Sequence, residues 1–426
     1  MSGRASQAKA VAIVASGNFL EMYDFQVFGF YAAAIGATFF PKSDAYAQLM
    51  LSLATFGAGF LMRPVGAVLL GAYVDRHGRR AGLLMTLGLM AVGTLTIAVT
   101  PPFVAIGLAA PLLVLAGRLV QGLSAGVELG GVSVYLSEIA TPGRKGFYVA
   151  WQPASQQVGV MFAAVLGIVL TQQLGEAGVK AWGWRIPFLI GCLLTPFLLL
   201  MRRRMTESPV YAARTHHPTF PEIWGTVAQN WGLVLLGMML VTMTTVSFYT
   251  ITSYTPTFGT KELHLPPTAT FVVTLCVGFT CLILLPVAGA ISDRVGRTPL
   301  LVGATVAALA TAYPAMRWLV GDPSFTHLLM VELWLAVLFA TYNGAMVAHL
   351  TEVMPERVRT CGFSVAFSLA TALFGGFTPA IATWLIHETG DKAMPGAWLS
   401  AAAAIGLVAA LALRRRGLSP AVVPAA

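Results

Sequence analysis

Charged residues are scarce in this chain of 426 residues. Asp, Glu, Lys and Arg together make up 10% of it, whereas a soluble domain carries roughly 25%. Hydrophobic residues make up 57%, and the mean hydropathy is +0.76. One soluble core could not bury this much apolar surface. The composition therefore excludes a soluble globular domain and predicts an integral membrane protein.

Cysteine is also scarce. The four cysteines lie in or beside apolar segments and show neither metal-ligand spacing nor a disulfide framework. The seven histidines do not cluster with cysteines or carboxylates. A membrane enzyme needs a clustered nucleophile and base, or a set of metal ligands. The sequence therefore predicts no enzyme activity, no metal site and no cofactor.

The net charge of +9 comes from 26 Lys and Arg against 17 Asp and Glu. Of the basic residues, 18 fall in alternate loops predicted on one side of the membrane and 6 on the other side. This bias is the positive-inside rule, and it predicts that both termini are cytoplasmic. The basic character therefore sets orientation and does not indicate a nucleic-acid partner.

Apolar stretches that could cross a bilayer need about 20 residues each. About twelve are present, at 11–37, 49–74, 82–100, 106–137, 146–172, 184–201, 231–256, 268–292, 299–320, 326–352, 360–387 and 396–413. The hydrophilic interval 202–230 divides them into two sets of six. We therefore expect one bundle over 1–201, a cytoplasmic linker over 202–230 and a second bundle over 231–426.

A short basic segment occurs twice. Residues 71–80 read GAYVDRHGRR, and residues 289–298 read GAISDRVGRT, 218 positions later (289 − 71). A second similarity follows the fourth span of each half, where Ser137-Glu138 corresponds to Thr351-Glu352. Two repeated features in the same order indicate a duplication. Six spans per half make the two bundles parallel repeats about an axis along the membrane normal, an architecture typical of secondary transporters.

These residues resemble the major facilitator superfamily, whose most recognisable signature is the Gly-x-x-x-Asp-Arg-x-Gly-Arg-Arg loop. Three segments resemble its metabolite:proton symporter branch, namely GNFLEMYDF at 17–25, GRLVQG at 117–122 and ESP at 207–209. A narrower resemblance, to bacterial citrate–proton symporters and their tricarballylate relatives, lies in GVELGGVSVYLSE at 126–138, GWRIPF at 183–188, YNGAMV at 342–347 and LTEVMP at 350–355. The resemblance implies an all-α fold of twelve transmembrane helices, usually monomeric.

Ionisable side chains at bilayer depth cost roughly 2.5–3.5 kcal/mol on insertion scales, so each needs a partner or a role. Asp24 and Arg118 form our candidate proton-coupling pair, with Glu21 as a further candidate. An anionic substrate that takes the cation would leave the carboxylate to bind a proton. By resemblance, proton-coupled sugar transporters of the superfamily use an acid in the first span and an arginine in the fourth. The alternative is a permanent salt bridge that holds helices together.

Polar side chains within the spans are candidate substrate ligands, because in lipid they must face a cavity or another helix. They are Arg118, Arg63, Asn18, Gln121, Gln156, Tyr249, Tyr342 and Asn343. Interhelical hydrogen bonding is the alternative for Gln156, Tyr249, Tyr342 and Asn343. Arg63 is either a substrate ligand or the partner of Glu128. Glu332 aligns with Arg118 at the offset that relates Glu352 to Glu138 (332 − 118 = 352 − 138 = 214). The duplication therefore places an acid opposite a base.

Charged residues beside the cytoplasmic loops are candidate gating residues that form salt bridges between the bundles. They are Asp75, Arg76, Arg79, Glu138, Asp293, Arg294, Arg297 and Glu352. By family resemblance, the loop Asp and Arg residues stabilise one state of a rocking cycle.

A tricarboxylate such as citrate carries about three negative charges, and importing them at −100 mV costs about 7 kcal/mol. Import therefore needs co-transported cations, and about three protons would make it electroneutral. We predict proton-coupled citrate import through the bacterial inner membrane. The alternatives are tricarballylate or another di- or tricarboxylate, an osmolyte such as betaine or proline, and a membrane substrate sensor.

Overall fold

A computed structural model describes residues 18–41, 44–77, 79–126, 128–203, 225, 228–355 and 359–415. All regular elements in these ranges are helices. Most of the predicted linker lies outside the described residues, as do both chain ends. The helices follow the predicted order, and we number the membrane spans 1 to 12 along the chain.

The first six spans occupy the first half of the chain. Span 1 consists of a helix over 18–30 and the helix Ala32–Phe39. Span 2 is Ala45–His77 and span 3 is Arg79–Val99, followed by the short helix Phe103–Ile106. Span 4 comprises Ala109–Ala125 and Glu128–Glu138. Span 5 is Lys145–Gly183, with a kink at Gly175 and a π-helical turn at its end, and span 6 is Arg185–Arg203.

The second half has the same order. Span 7 is Trp231–Lys261 and contains a π-helical turn at Thr250–Tyr254. Span 8 is Pro267–Val295, span 9 is Arg297–Gly321 and span 10 is Phe325–Val353. Span 11 begins at Arg359, contains a π-helical turn at Thr371–Gly375 and ends at Thr389. Span 12 is Met394–Arg415.

Eight of the described helices are long and apolar enough to cross a membrane, and shorter apolar helices occupy spans 3, 4 and 6. With span 1, they account for the twelve predicted spans. This arrangement agrees with the predicted all-α membrane architecture. The boundaries of the two bundles remain a prediction.

Glycines let spans 2 and 4 pack with their backbones in contact. A Cβ atom at Gly122 would overlap the carbonyl oxygen of Gly59, and one at Gly126 would overlap that of Arg63. Small residues allow such close approach in membrane helices, where no hydrophobic effect drives helices together. This packing fixes the position of Arg63 on span 2 relative to Arg118 on span 4.

The two halves are in contact along spans 5 and 8. Gly146 lies against Gly289 at one end, Gly278 against Met161 in the middle, and Gly167 against the ring of Phe271 at the other end. We call the end that contains Gly146 and Gly289 the inner end, because the loops there carry the predicted cytoplasmic bias of basic residues. The opposite end is the outer end.

Candidate functional site

A small cavity lies between the two halves at mid-depth. The cavity has a volume of about 30 Å³, which is room for roughly two waters. Spans 1, 2, 5, 7, 10 and 11 line it. The lining residues are Met22, Arg63, Gln152, Pro153, Gln156, Thr244, Thr245, Phe248, Tyr249, Phe339, Asn343, Phe367 and Thr371. Four of the eight predicted substrate ligands are among them, namely Arg63, Gln156, Tyr249 and Asn343.

Arg63 forms a buried ion pair at the wall of this cavity. Its guanidinium nitrogen lies 2.9 Å from a carboxylate oxygen of Glu21, and Arg63 is only 1% exposed. The side chain of Glu128, the partner expected from the sequence, lies outside the described ones, so that contact stays a prediction. Span 1 therefore supplies the counter-charge for the cation on span 2.

Aromatic rings surround both arginines of the first half. The Phe25 ring centroid lies 4.9 Å from Cζ of Arg63 and 4.6 Å from Cζ of Arg118. Phe60 also lies against Arg63, at 4.7 Å. Cation–π attraction favours a guanidinium at these distances, more strongly when it is desolvated. The prediction of site residues missed these rings, although the spacing of Phe56 and Phe60 by one helical turn was visible in the sequence.

Asp24 and Arg118 do not contact each other directly. Arg118 donates to the side-chain oxygen of Gln121 at 2.8 Å, and the Gln121 amide donates to the hydroxyl of Thr94 at 2.9 Å. The Thr94 hydroxyl is 2.7 Å from Oδ2 of Asp24. The predicted direct ion pair is therefore replaced by a relay of two neutral side chains. Thr94 was not predicted, because a threonine in an apolar span carries no signal of its own.

Three other predicted ligands contact neighbouring helices instead of the cavity. Asn18 is 3.5 Å from the hydroxyl of Ser155, and Gln121 belongs to the relay. The hydroxyl of Tyr342 donates to the carbonyl of Leu240 at 2.9 Å. All three take part in interhelical hydrogen bonds, which for Tyr342 was the alternative expected from the sequence. Arg118 also lies behind the cavity wall and donates to the carbonyl of Phe56 at 3.3 Å.

At the inner end, Asp293 joins the two halves. Its carboxylate accepts from the backbone N–H groups of Gly146 at 2.7 Å and Phe147 at 3.0 Å. These N–H groups belong to the first turn of span 5, where a negative charge is favourable. Arg297 bridges Asp293 at 2.7 Å and Glu352 at 3.0 Å. Three of the predicted gating residues thus form one cluster at the contact between the halves.

The other predicted gating residues lie outside this cluster or outside the described side chains. Arg294 and Glu138 are exposed. The side chains of Asp75, Arg76 and Arg79 are not among those described. The second copy of the repeated loop is therefore the one whose contacts are described.

At the outer end, Gln26 of span 1 bridges to the π-helical turn of span 7. Its amide nitrogen lies 3.3 Å from the Thr252 hydroxyl, and its amide oxygen accepts from Ser253 at 2.8 Å. Gly376 of span 11 packs against the ring of Phe60. The two halves therefore contact each other at both ends of the interface. No group of His, Cys, Asp or Glu within the described ranges has the arrangement of a metal site.

The sequence profile of the Major Facilitator Superfamily matches residues 14–367 and 260–424. A citrate-proton symporter of Salmonella typhi is 56% identical over 408 residues, 96% of this chain and 94% of the relative. A citrate-proton symporter of Klebsiella pneumoniae is 55% identical over 407 residues, covering 96% and 92%. An Escherichia coli proline/betaine transporter is more distant, at 30% identity over 97% of this chain and 84% of the relative.

Among solved structures, a D-xylose-proton symporter superimposes with a TM-score of 0.74, covering 94% of this chain and 96% of that chain at 18% identity. This likeness confirms the predicted fold of twelve transmembrane helices in two bundles. The profile and the relatives confirm the predicted membership. The chain therefore belongs to the Major Facilitator Superfamily.

Proposed function

We propose that this chain imports citrate together with protons across the bacterial inner membrane by alternating access. The citrate-proton symporters to which it is similar share more than half of its residues over nearly its whole length. The observation that carries the proposal is the buried ion pair of Arg63 and Glu21 at the cavity wall. This single contact provides a cation for the substrate and an acid for the proton.

The cavity wall has the groups that a tricarboxylate needs. The Arg63 guanidinium offers a planar set of donors that matches a carboxylate. Gln156 and Tyr249 can donate hydrogen bonds to further carboxylate oxygens, and Asn343 lies across the cavity on span 10. A substrate carboxylate that binds Arg63 takes the place of Glu21. Arg118, Asn18, Gln121 and Tyr342 act behind this wall, where they position it.

Displacement of Glu21 couples substrate binding to protonation. A buried carboxylate that loses its counter-charge is costly, and uptake of a proton removes that cost. Protonation of Asp24 is coupled to substrate binding in the same way but indirectly, because Asp24 is linked to Arg118 through Thr94 and Gln121. Asp24, Glu21 and Arg118 are therefore the proposed proton-coupling residues.

The cavity has room for roughly two waters and cannot hold a tricarboxylate. Citrate must therefore enter when the halves separate at the outer end and leave when they separate at the inner end. Asp293, Arg297 and Glu352 would hold the inner end closed, together with Asp75, Arg76, Arg79, Glu138 and Arg294. The moving units are the bundles 1–201 and 231–426, joined by the linker 202–230.

The rest of the proposal concerns placement and partners. The protein is a multi-pass membrane protein, and we place both termini in the cytoplasm from the bias of basic loop residues. The partners are the tricarboxylate anion, protons and the lipid bilayer, and the working unit is a monomer. The chain carries out no enzymatic reaction, uses no cofactor or metal, and binds no nucleic acid.

The test is uptake of labelled citrate into proteoliposomes that contain the purified full chain. An inward proton gradient should drive accumulation, and a protonophore should abolish it. Unlabelled tricarballylate, betaine and proline are the competitors. Uptake of betaine or proline with no uptake of citrate would refute the proposal. Binding of citrate without counterflow would instead identify a sensor.

A further inference from the structure

A second buried carboxyl site lies in the second half of the chain, away from the central cavity. Glu332 on span 10 is 2% exposed. Its Oε1 lies 3.1 Å from the Thr255 hydroxyl of span 7, and its Oε2 has no hydrogen-bond partner among the described residues. Within the described part of the chain, no Lys, Arg or His lies within salt-bridge distance of it.

The hydrogen bonds that the Thr255 hydroxyl can form depend on the protonation state of Glu332. It lies 3.1 Å from Glu332 Oε1 and 3.2 Å from the backbone carbonyl of Thr250. A threonine hydroxyl has one hydrogen to donate and two lone pairs. If Glu332 is ionised, both neighbours are acceptors, and the single hydrogen of the Thr255 hydroxyl can be donated fully to only one of them. If Glu332 is protonated, its O–H donates to Thr255, and Thr255 donates to the Thr250 carbonyl.

The same arrangement occurs around Asp24 in the first half. The Thr94 hydroxyl lies 2.7 Å from Asp24 Oδ2 and 2.9 Å from the carbonyl of Met90. Each half thus places a threonine hydroxyl between a buried carboxyl group and a backbone carbonyl. The sites differ in charge. Asp24 is linked to Arg118, whereas Glu332 itself occupies the repeat position of Arg118.

The titratable side chains on the spans around Glu332 contact groups other than Glu332. Span 10 packs against spans 7, 8 and 9 along its length, and it contacts spans 4, 5 and 11 through their inner segments. On span 7, the Tyr254 hydroxyl accepts from Thr383. On span 8, the Cys281 thiol faces the carbonyl of Ala336. On span 9, Tyr313 and Arg317 contact Asp391 in the outer loop. A negative charge on Glu332 would therefore be uncompensated at low dielectric.

The π-helical turn of span 7 connects this site to the interface between the halves. Thr250, whose carbonyl faces Thr255, begins the turn, and Thr252 and Ser253 within it contact Gln26 of span 1. Such turns occur frequently at functional sites. A change in the hydrogen bonds of Thr255 therefore acts on the segment that closes the outer end.

We propose that Glu332 is a further proton-binding site, which gains a proton while the outer end is open and releases it when the inner end opens. The step adds one proton to a carboxylate and breaks no other bond. The proposal rests on proton-coupled citrate import. Glu21, Asp24 and Glu332 are the buried acids of the described chain, and three protons would balance the charge of a trianion.

The test measures how many protons drive citrate accumulation. The membrane potential is clamped at zero, and an inward gradient of one pH unit is applied to proteoliposomes. Each coupled proton then contributes about tenfold to the steady-state accumulation ratio. We expect Glu332→Gln to lower this ratio about tenfold while citrate counterflow continues. An unchanged ratio would overturn the proposal.

Infrared spectroscopy of the purified full chain provides a second readout that requires no transport. At neutral pH, we expect Glu332→Gln to remove one carbonyl band of a protonated carboxyl group, and Thr255→Val to shift that band. If Glu332→Gln does not fold, the shift in Thr255→Val carries the test. Absence of both effects would overturn the proposal. Failure of the unaltered chain to take up citrate would refute the proposed function instead, and the spectrum would still report on Glu332.

Discussion

Arg63 reaches the central cavity already paired with Glu21, at 2.9 Å. The two residues lie on different spans of the same half, and both are buried. Removing one partner of a buried pair leaves an uncompensated charge and typically costs about 3–5 kcal/mol, whereas replacing both is often neutral. An anionic substrate supplies the charge that Arg63 needs, and a proton taken up by Glu21 removes the charge that would otherwise be left unpaired.

Arg63→Gln should weaken citrate binding by roughly 10- to 150-fold, the range expected for a lost hydrogen bond to a charged group. It should also lower the thermal unfolding temperature, because Glu21 loses its counter-charge. The double variant Arg63→Gln/Glu21→Gln should recover the stability but not the affinity. Citrate titration by calorimetry and thermal unfolding in detergent separate the two effects. Unchanged affinity in the single variant would remove Arg63 from the substrate site.

Asp24→Asn should lower the accumulation of citrate by a gradient of one pH unit about tenfold, the share of one coupled proton, and preserve citrate exchange between the two sides. The amide mimics a protonated carboxyl group, so Thr94 keeps its hydrogen bond while the site can no longer release a proton. Uptake and counterflow in the same proteoliposomes measure the two properties. Full accumulation in Asp24→Asn would show that Asp24 does not carry a coupled proton.

Gly122→Ala should destabilise the protein by about 1–3 kcal/mol, because the new Cβ would overlap the carbonyl oxygen of Gly59. Gly303→Ala on span 9 is the matched control, since nothing lies within 4 Å of its Cβ position. Thermal unfolding in detergent should show a large decrease for the first variant and little change for the second. Equal behaviour would mean that spans 2 and 4 do not pack this closely.

Asp293→Asn should favour opening at the inner end. The carboxylate contributes charge-assisted hydrogen bonds to Gly146 and Phe147 and an ion pair to Arg297, and a neutral amide weakens all three. A cysteine introduced at Thr244 on the cavity wall reports the change. Its alkylation from the inner side by a membrane-impermeant maleimide should become several-fold faster.

Arg414→Gln is the control for that experiment, because Arg414 is an exposed arginine at the inner end of span 12 with no contact to span 5 among the described residues. It should leave the alkylation rate unchanged. A rate that rises equally in both variants would mean that charge at the inner end in general, and not the contact of Asp293 with span 5, keeps the inner end closed.

Asp391, in the loop between spans 11 and 12, should make stability depend on pH in the acid range. The backbone N–H of Ala393 and the Tyr313 hydroxyl, with Arg317 nearby, hold its pKa below the ordinary value despite partial desolvation. A depressed pKa stabilises the fold above the unfolded-state value, and that stabilisation is lost as the pH falls through the folded-state value.

Asp391→Asn should therefore reduce the thermal unfolding temperature near neutral pH and flatten its decline in acid. Thermal unfolding in detergent across the acid range measures both effects. Glu176→Gln provides a control, because Glu176 is an exposed acid near the outer end of span 5. Parallel pH profiles for the unaltered chain and Asp391→Asn would contradict the prediction.

The sequence predicted which side chains are unusual but not which of them meet. Any charge within a span needs a reason, so Glu21, Asp24, Arg63 and Arg118 could be identified without coordinates. The sequence could not show that Arg63 pairs with Glu21, because that contact depends on the rotation and depth of two packed helices.

The sequence also failed to identify several site residues, namely Thr94, Thr255, Phe25 and Phe60. Threonine and phenylalanine are ordinary in a membrane helix, so composition does not single them out, and the one-turn spacing of Phe56 and Phe60 does not show that they face an arginine. Their roles come from neighbours that lie far away in the chain. Thr94 matters because Asp24 and Gln121 meet at its hydroxyl, and Phe25 matters because two guanidiniums face its ring.

By itself, the sequence determined that the protein lies in a lipid bilayer, how many spans it has, that it is duplicated and which family it belongs to. These follow from composition, from the length of apolar stretches and from motifs that recur at half-chain spacing, all of which are local or periodic properties. Only the tertiary structure decided that Arg63 pairs with Glu21, that a relay joins Asp24 to Arg118, and that Glu332 stands apart from any described cation. Those contacts join residues from separate spans, and the glycine-mediated approach of the helices determines which side chains come within hydrogen-bond distance.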